Sequence, residues 1–468
     1  MARTITDRER EYARDLLQRA RAAMRAIEHY DQATVDRLCR AVGWATANEK
    51  TFTRLAQQSV DESGLGDRDG RPSKRFKISG ILRDALRQKS VGVIEELPEK
   101  GLVKYAKPAG VIATLIPSTN PELTPPGNGI YALKCKDAVI FSPHPMSQKT
   151  TIEMVGIMRE ALRRQGAPED LFQVVTTPSI PLAQELMSIC DLTIATGGMA
   201  MVKAAYSAGK PAYGVGSGNS TMVIDETADI PDAARNTRIS KTSDNGSGCS
   251  ADGNLLVDGR IYEEFLEQLQ KEGGHLASDA EKKLLEIAMW DGEGRRTIQT
   301  IARSASQIAA IAGFPLAPDR KFIVVKQEKI GREQRFSGEK LSPVLAIYRY
   351  STFDDALEMV RQIYEVGGKG HSCGIYSFDD DHIHRLALVA PVSRMMVRQP
   401  QSKANGGAFN NGMPMTSSLG CGIWGGNITN ENISLKHYMN VTWVSRPIAE
   451  DRPSEKEIFG EFYNTETF

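Results

Sequence analysis

Between residues 109 and 226, short apolar runs alternate with stretches whose apolar residues recur at helical spacing. The predicted strands are 138–142, 171–176, 191–195 and 211–215, and the predicted helices are 147–165, 180–187 and 199–207. Parallel neighbouring strands need crossover connections of this kind, so the pattern predicts a parallel, doubly wound sheet. The strands show no polar alternation, which is typical of strands that are covered on both faces.

A similar pattern restarts after residue 226 and predicts a second α/β unit. Its predicted helices are 230–241, 260–272 and 278–311, and its predicted strands are 254–258, 322–326, 344–350 and 374–378. Three amphipathic helices are predicted ahead of the first unit, at 6–30, 34–47 and 49–62. Residues 90–97 and 102–108 predict a hairpin, and residues 438–445 alternate like one further strand.

Composition excludes several classes of protein. A chain of 468 residues predicts two to four domains, and its 58 basic and 58 acidic residues create no overall field that attracts nucleic acid. No apolar run reaches the roughly 18 residues of a membrane helix, and the charged start differs from a secretory signal. The six cysteines form no CxxC pair, so neither a metal site nor a disulfide framework is expected, and a reducing cytoplasm is the expected compartment.

One cysteine stands in a setting that favours chemistry. Cys249 follows Gly246 and Gly248 in a polar loop, where glycine lets the backbone approach a ligand closely. The cysteines at 39, 135 and 190 flank apolar segments and are expected in the core. Cys421, between two glycines, is a rival candidate nucleophile, and Cys373 is a weaker one.

Three polar motifs stand at predicted strand ends. Gly197 and Gly198 open a helix after a strand, which suits a cofactor phosphate, although the GxGxxG fingerprint is absent and plain tight turns give the same pattern. Asn120 follows a strand and offers an amide to an oxyanion, unless it only forms a turn before Pro121. Glu339 precedes another strand and is either a ribose contact or a solvated charge.

Taken together and in order, these motifs resemble the aldehyde dehydrogenase superfamily, specifically its coenzyme-A-acylating branch. The motifs are PSTNP (117–121), AVIFSPHP (138–145), ATGG (195–198), VKAAYSAGKPAYGVGSGN (202–219), KTSDNGSGCS (241–250), EKLSPVLA (339–346), GKGHS (368–372) and LGCGIWGGN (419–427). The resemblance implies that Cys249 is the nucleophile and that Asn120 and the Cys249 backbone N–H hold the oxyanion. The cofactor contacts that it implies are Ser142, Pro143, His144, Thr196, Gly197, Gly198, Gly216 and Glu339.

The resemblance also implies a fold, an α/β architecture with three parts. A Rossmann-like cofactor domain is expected at 1–89 and 109–226, and a catalytic domain at 227–435. A β arm for assembly into a homodimer or homotetramer is expected at 90–108 and 438–447, followed by a peripheral tail at 449–468.

The expected reaction depends on a residue that is missing. Hydrolytic members of the superfamily carry a water-activating glutamate in the segment equivalent to 213–219, and this segment has no carboxylate. We therefore expect the acyl group to pass to coenzyme A. Pro145 stands where hydrolytic relatives have an acid that binds ribose, so both NAD and NADP remain candidate cofactors.

The substrate expectation depends on Arg398. It lies in the segment 394–403 that lines the aldehyde pocket of the family, and a guanidinium suits a sulfonate or carboxylate. Sulfoacetaldehyde is the first expectation, with succinate semialdehyde, acetaldehyde and propionaldehyde as alternatives, and a structural salt bridge of Arg398 as the competing explanation. A hydrolytic aldehyde dehydrogenase, a glutamyl-phosphate-reductase-like enzyme and a non-catalytic binding protein are the alternative functions.

Overall fold

The computed structural model describes residues 3–463. Its helices are α1 (Asp7–Ala26), α2 (Gln32–Ala47), α3 (Glu49–Ser63), α4 (Arg75–Leu86), α5 (Thr124–Lys134), α6 (Gln148–Arg164), α7 (Ile180–Ile189), α8 (Met199–Tyr206), α9 (Ile230–Thr242), α10 (Tyr262–Lys271), α11 (Asp279–Met289), α12 (Ala305–Ala312), α13 (Phe353–Val366), α14 (Asp380–Val389), α15 (Gln401–Ala404) and α16 (Glu455–Phe459). Its strands are β1 (Val93–Leu97), β2 (Leu102–Pro108), β3 (Val111–Leu115), β4 (Ala138–Ser142), β5 (Phe172–Val174), β6 (Leu192–Thr196), β7 (Ala212–Val215), β8 (Thr221–Ile224), β9 (Asn254–Asp258), β10 (Gly274–Leu276), β11 (Phe322–Lys326), β12 (Val344–Tyr350), β13 (Cys373–Tyr376), β14 (Met395–Val397) and β15 (Met439–Ser445).

The first sheet is parallel and has the order β5-β4-β3-β6-β7. Every residue of β3 and β4 is buried, as expected for strands covered on both faces. The chain builds outward from β3 in one direction and then returns to its other side through β6. The order therefore reverses between β3 and β6, the place where doubly wound sheets bind ligands.

The second sheet is also parallel and has the order β10-β11-β12-β9-β8-β13-β14. Its strands bury side chains on both faces: Leu256 of β9 belongs to one core cluster, and Leu255 and Val257 belong to another. The parallel α/β fold predicted from the sequence is confirmed.

The predicted boundary between the two units needs two corrections. Strand β8 was expected in the first unit, but it pairs with β9 and β13 of the second sheet. Segment 227–435 was expected in the second unit, but Met415, Ile433 and Leu435 pack in the core around the first sheet. A short polar link joins β7 to β8, and apolar periodicity alone does not show that the chain changes sheets there.

The single helix predicted at 278–311 is wrong. Helix α11 ends at Met289, and α12 begins only at Ala305. Two glycines lie in the Asp291–Gly294 turn, and Gly294 adopts a positive φ of 77°. Ser304 then starts α12 through a reciprocal capping box with Gln307, so the local signals for a stop and a restart outweigh the apolar spacing.

The third sheet is antiparallel and has the order β1-β2-β15. The hairpin and the late strand predicted from alternation are both present, and β15 pairs along its whole length with β2. Of the predicted tail, residues 464–468 lie outside the described part of the chain. No helix within residues 3–463 combines the length and the apolar character needed to cross a bilayer.

Candidate active site

A cavity of about 650 Å³ lies where the two parallel sheets meet. The first sheet contributes the loops that follow β3, β6 and β7, at its carboxyl edge. The other contributions are His144 after β4, the loop between α9 and β9, the segment at the start of α4, Glu339 and Leu341 before β12, and residues 402–419. The topological reversal between β3 and β6 thus opens into this cavity, as the fold predicts.

The second sheet presents its amino-terminal edge to the same region. Thr221 of β8 pairs with both Asn254 of β9 and Cys373 of β13, so these three strands begin side by side. The residues just before each strand are therefore neighbours in space. This register brings Cys249, which precedes β9, next to His371, which precedes β13.

The loop that carries Cys249 has a strained backbone. Asp244 and Asn245 have φ values of 51° and 53°, in the left-handed region that side chains other than glycine rarely adopt. The Asp244 carboxylate accepts two hydrogen bonds from the fully buried Arg71 guanidinium, at 3.0 and 2.8 Å. Ser247 Oγ donates to the same carboxylate at 2.7 Å. Such a paired, buried network holds the bend that positions the nucleophile.

Gly218 allows the loop after β7 to reach the Cys249 backbone. A Cβ added at Gly218 would lie 1.8 Å from the Cys249 carbonyl oxygen, closer than atoms can approach. Only glycine lets these two segments meet at this distance. The glycine-rich motif thus contacts the backbone of Cys249 directly.

The Cys249 sulfur contacts a buried imidazole. Its Sγ lies 3.0 Å from His371 Nε2, and His371 Nδ1 lies 2.8 Å from Ser372 Oγ. Ser372 Oγ lies 2.8 Å from Ser220 Oγ, which donates to the Cys249 carbonyl oxygen at 3.4 Å. A proton on Nδ1 satisfies every contact in this series, because Nε2 is then free to accept the thiol proton.

Both partners of this contact are neutral in the resting protein. Burial lowers the pKa of His371 to about 3, with a further contribution from the Arg394 charge. Burial raises the pKa of Cys249 to about 12, with a further contribution from Glu339. At neutral pH the thiol therefore donates to an uncharged imidazole, and no thiolate–imidazolium pair is preformed.

Asn120 lines the same cavity and its amide has a fixed orientation. Lys74 Nζ donates to Asn120 Oδ1 at 2.6 Å and to Asp244 Oδ2 at 2.7 Å. With the amide oxygen occupied by Lys74, the Nδ2 group is left as the donor that the cavity can use. Lys74 was not singled out in the sequence, yet it links the predicted oxyanion donor to the nucleophile loop.

Two carboxylates line the cavity among the described residues, and neither contacts the Cys249 sulfur. Asp244 is neutralised by Arg71 and Lys74, and its pKa is lowered to about 2 despite burial. Glu339 Oε1 accepts the backbone N–H of Gly218 at 2.9 Å. Burial raises the pKa of Glu339 to about 7, although that hydrogen bond and the nearby lysines oppose the shift.

Most of the predicted cofactor residues lie at the first-sheet end of the cavity. Those that line it are His144, Thr196, Gly197, Gly198, Gly216 and Glu339. Ser142 ends β4, and neither Ser142 nor Pro143 belongs to the lining. Gly198 directly precedes α8, and a Cβ placed there would meet no atom within 4 Å.

Arg398 is not brought to the cavity. Its guanidinium lies 4.4 Å from the centre of the Phe378 ring and donates to the Ser377 carbonyl oxygen. Arg398 directly follows the edge strand β14 and has a left-handed φ of 52°, and its side chain takes this direction from that backbone conformation. The cationic side chains that do line the cavity are those of Lys74, Lys77 and Lys403.

His371 is the main residue that the sequence reasoning missed. The GKGHS motif contains it, but the sequence-based expectation for a proton acceptor was limited to carboxylates. The available signal was a histidine directly before a buried strand of the second unit. Its pairing with Cys249 becomes visible only when the register of β8, β9 and β13 is known.

A group of possible metal ligands lies away from the cavity. Asp225, Glu226 and His382 offer ligand atoms within 4.8 Å of one another. Asp225 Oδ2 lies 2.8 Å from His382 Nδ1, and Glu226 pairs with Arg260 at 2.8 Å. All three side chains therefore already pair with protein groups, which explains why they lie close together.

Comparisons with known proteins agree with this geometry. The chain is 45% identical over 451 residues to a sulfoacetaldehyde dehydrogenase of an Acholeplasma species, covering 95% of this chain and 93% of that relative. It is 38% identical over 449 residues to an acylating sulfoacetaldehyde dehydrogenase of Bilophila wadsworthia, covering 95% and 97%. The crystal structure of an acetylating aldehyde dehydrogenase from Geobacillus thermoglucosidasius matches with a TM-score of 0.92 and 34% identity, covering 96% of this chain and 99% of that one.

A family model also matches most of the chain. The model described as the aldehyde dehydrogenase family matches residues 2–443. This range includes the cavity, the loop that carries Cys249 and all three sheets except the last two residues of β15. The resemblance inferred from the motifs is confirmed, and the chain belongs to the aldehyde dehydrogenase family.

Proposed function

We propose that this protein is a coenzyme-A-acylating aldehyde dehydrogenase whose substrate is sulfoacetaldehyde. The observation that carries the acylating part is the Cys249–His371 contact at 3.0 Å, in a site where no carboxylate contacts the sulfur among the described residues. The substrate is supported by the names of the Acholeplasma and Bilophila wadsworthia relatives.

The first chemical step uses the neutral pair described above. His371 Nε2 accepts the thiol proton as the Cys249 sulfur attacks the aldehyde carbonyl carbon. Asn120 Nδ2 and the Cys249 backbone N–H then donate to the oxygen that becomes negative. Loss of hydride from the same carbon leaves an acyl group bound to Cys249 as a thioester.

The residues at the first-sheet end fit a nicotinamide dinucleotide. The open space beside Gly198 and the free N–H groups at the start of α8 suit its phosphates. Glu339 lines the cavity beside Cys249 and is available to a ribose hydroxyl. When bound, the dinucleotide supplies the acceptor for the hydride. NAD and NADP are both compatible with these residues.

The second step transfers the acyl group to a thiol. The coenzyme A thiol loses its proton to water, and the resulting thiolate attacks the thioester carbonyl carbon. The departing Cys249 thiolate regains a proton from water through His371, which has released to water the proton it took up in the first step. A thiolate needs no general base at this point, whereas water does. Asp244 is unsuited to that task because Arg71 and Lys74 hold its pKa low, and Glu339 is bound to Gly218.

The test is a comparison of acyl acceptors. Purified protein is given sulfoacetaldehyde and either dinucleotide, with coenzyme A or without any thiol, and the product is identified by mass spectrometry. We expect sulfoacetyl-coenzyme A at a rate that exceeds free-acid formation by at least about 100-fold. The Cys249→Ala variant controls for chemistry elsewhere and should form neither product.

Two outcomes would overturn the proposal. Rapid release of free acid without a thiol would make the protein a hydrolytic enzyme and would direct attention to Glu339. Coenzyme-A-dependent turnover that survives Cys249→Ala would exclude the covalent route. A higher kcat/KM for succinate semialdehyde, acetaldehyde or propionaldehyde than for sulfoacetaldehyde would replace the substrate and leave the reaction type intact.

We also propose that the β1-β2-β15 sheet assembles the protein into a homodimer or homotetramer in a reducing cytoplasm. Six of the seven residues of β15 are exposed, among them Val441, Trp443 and Val444. An apolar strand exposed in this way is typical of a surface that another chain covers. The six free cysteines are consistent with a reducing compartment.

A further inference from the structure

Three lysines lie together at one end of the cavity. Lys74 and Lys77 come from the start of α4, and Lys403 comes from α15. The loops expected to hold the dinucleotide end at Gly198 and Gly216 and belong to the first sheet. The lysine cluster, Lys74, Lys77 and Lys403, therefore comes from other segments than the cofactor loops.

The three lysines differ in what balances their charge. Lys74 is paired with Asp244. Lys77 Nζ donates to the Gly406 carbonyl oxygen at 2.8 Å and to the Gly407 carbonyl oxygen, but within residues 3–463 it forms no salt bridge. Lys403 Nζ forms neither a salt bridge nor a hydrogen bond with any residue that the structure describes, although its side chain lines the cavity. Two ammonium groups thus face the cavity without an acidic partner.

Electrostatics indicate that these charges are close and uncompensated. Burial and, to a lesser extent, the charge of Lys403 together lower the pKa of Lys77 to about 8, although Asp84 opposes the shift. Burial and the charge of Lys74 lower the pKa of Lys403, and Asp244 opposes that shift. Like charges placed side by side in a partly desolvated cavity cost free energy unless an anion joins them.

One member of the cluster is linked to the predicted oxyanion donor. Lys74 donates to Asn120, the amide assigned to the oxyanion, so the cluster begins one hydrogen bond away from that group. In sulfoacetaldehyde the sulfur is two bonds from the carbonyl carbon. An anionic group held near the lysines is therefore compatible with a carbonyl carbon placed between Cys249 and Asn120.

We propose that Lys77 and Lys403 bind the sulfonate of the aldehyde and thereby set the preference for an anionic substrate. This inference rests on the proposed function and assigns to these lysines the role expected of Arg398. Lys403 offers three N–H donors, and Lys77 offers the donor directed toward Met415 Sδ at 3.8 Å, a weak contact that an oxygen can replace. Lys74 positions Asn120 and remains paired with Asp244.

The decisive measurement is a ratio of two specificities. kcat/KM is determined with coenzyme A for sulfoacetaldehyde and for propionaldehyde, which has a similar size and no charge. We expect Lys403→Met to lower the sulfoacetaldehyde-to-propionaldehyde ratio by at least about 10-fold, and Lys77→Met with Lys403→Met by about 100-fold. Lys403→Arg, which keeps the charge, should restore most of the ratio.

A matched variant controls for the change in net charge. Lys89 is exposed and lies outside the cavity lining, so Lys89→Met should leave both specificities unchanged. An unchanged ratio in Lys403→Met would overturn the proposal. A rise in KM for coenzyme A or dinucleotide with an unchanged ratio would overturn it too, because the lysines would then serve a phosphate.

A binding experiment separates this inference from the proposed function. Calorimetry with ethanesulfonate, which cannot react, measures anion binding in the wild-type protein and in the double variant. Weaker binding by about 10-fold or more in the double variant supports the lysine site even if sulfoacetaldehyde is not turned over. Equal affinity in the two proteins overturns the lysine site even if coenzyme-A-dependent acylation is established.

Discussion

Burial determines the resting state of Cys249 and His371. Thiolates, and not thiols, are the reactive nucleophiles, and many catalytic cysteines are kept ionised by a neighbouring charge. Here the sulfur lies 3.0 Å from an imidazole that burial keeps neutral, so the resting pair is a thiol and an uncharged imidazole. Such a thiol is protected from adventitious oxidation between turnovers.

The raised pKa of Cys249 predicts a distinctive reactivity. Because its pKa is raised to about 12, the thiolate fraction grows with pH throughout the neutral and mildly alkaline range. We expect the alkylation of Cys249 by iodoacetamide to accelerate about 10-fold per pH unit in this range. Mass spectrometry of the labelled peptide gives the rate at each pH. A plateau near neutral pH would show a preformed ion pair and contradict the assignment.

His371 is expected to act through proton transfer. His371→Gln keeps a hydrogen-bonding side chain but cannot take up a proton, so we expect kcat to fall by about 100- to 10,000-fold. Rapid mixing without coenzyme A isolates the first step, and reduced dinucleotide should form slowly in this variant. A variant that forms the thioester at the wild-type rate would limit His371 to a structural role.

At the scale of elements, the contact between the β7–β8 link and the loop that carries Cys249 depends on a glycine. Gly218→Ala places a Cβ 1.8 Å from the Cys249 carbonyl oxygen, so the two segments must separate. We expect a loss of about 1–3 kcal/mol in the free energy of unfolding, and a larger relative loss of activity. Urea denaturation and kcat measure the two effects.

Gly248 in the same loop provides a steric control. A Cβ at Gly248 would meet no atom within 4 Å, and its φ is not positive. Gly248→Ala should therefore unfold at nearly the wild-type urea concentration. Equal destabilisation of the two variants would show that loop flexibility, and not the close approach at Gly218, limits stability.

The elements also show what the sequence can and cannot reveal. The strands around Ala138–Ser142 and Leu192–Thr196 were found because a doubly covered strand leaves a continuous apolar run. Asn120 and Cys249 were found because motifs keep their local order. His371 was missed, and Lys403 was passed over for Arg398 within the same segment, because their positions in the site depend on strand register and on segments far apart in the chain. Arg398 was misplaced because a left-handed φ cannot be read from its neighbours.

At the scale of the whole molecule, strand β15 is the clearest sign of assembly. The Trp443 ring is 55% exposed and lies beneath the Lys104 ammonium, 4.1 Å from the ring centre. We expect Trp443→Glu to shift the protein toward monomer, because a charge on this strand opposes its burial by a second chain. Sedimentation velocity measures the shift. A wild-type monomer would rule out assembly, and an unchanged oligomer in the variant would place the interface elsewhere.

The buried ion pair between Arg71 and Asp244 limits how the active site can be redesigned. The carboxylate that lies closest to this buried guanidinium also shapes the bend ahead of Cys249, so reshaping the bend leaves Arg71 with only the more distant Glu122, at 3.9 Å, as an acidic partner. Altering that bend to admit bulkier aldehydes should therefore lower both the thermal stability and the kcat of the protein. Room is better gained at Phe76 and Phe409, which line the cavity and remain more than half exposed to solvent.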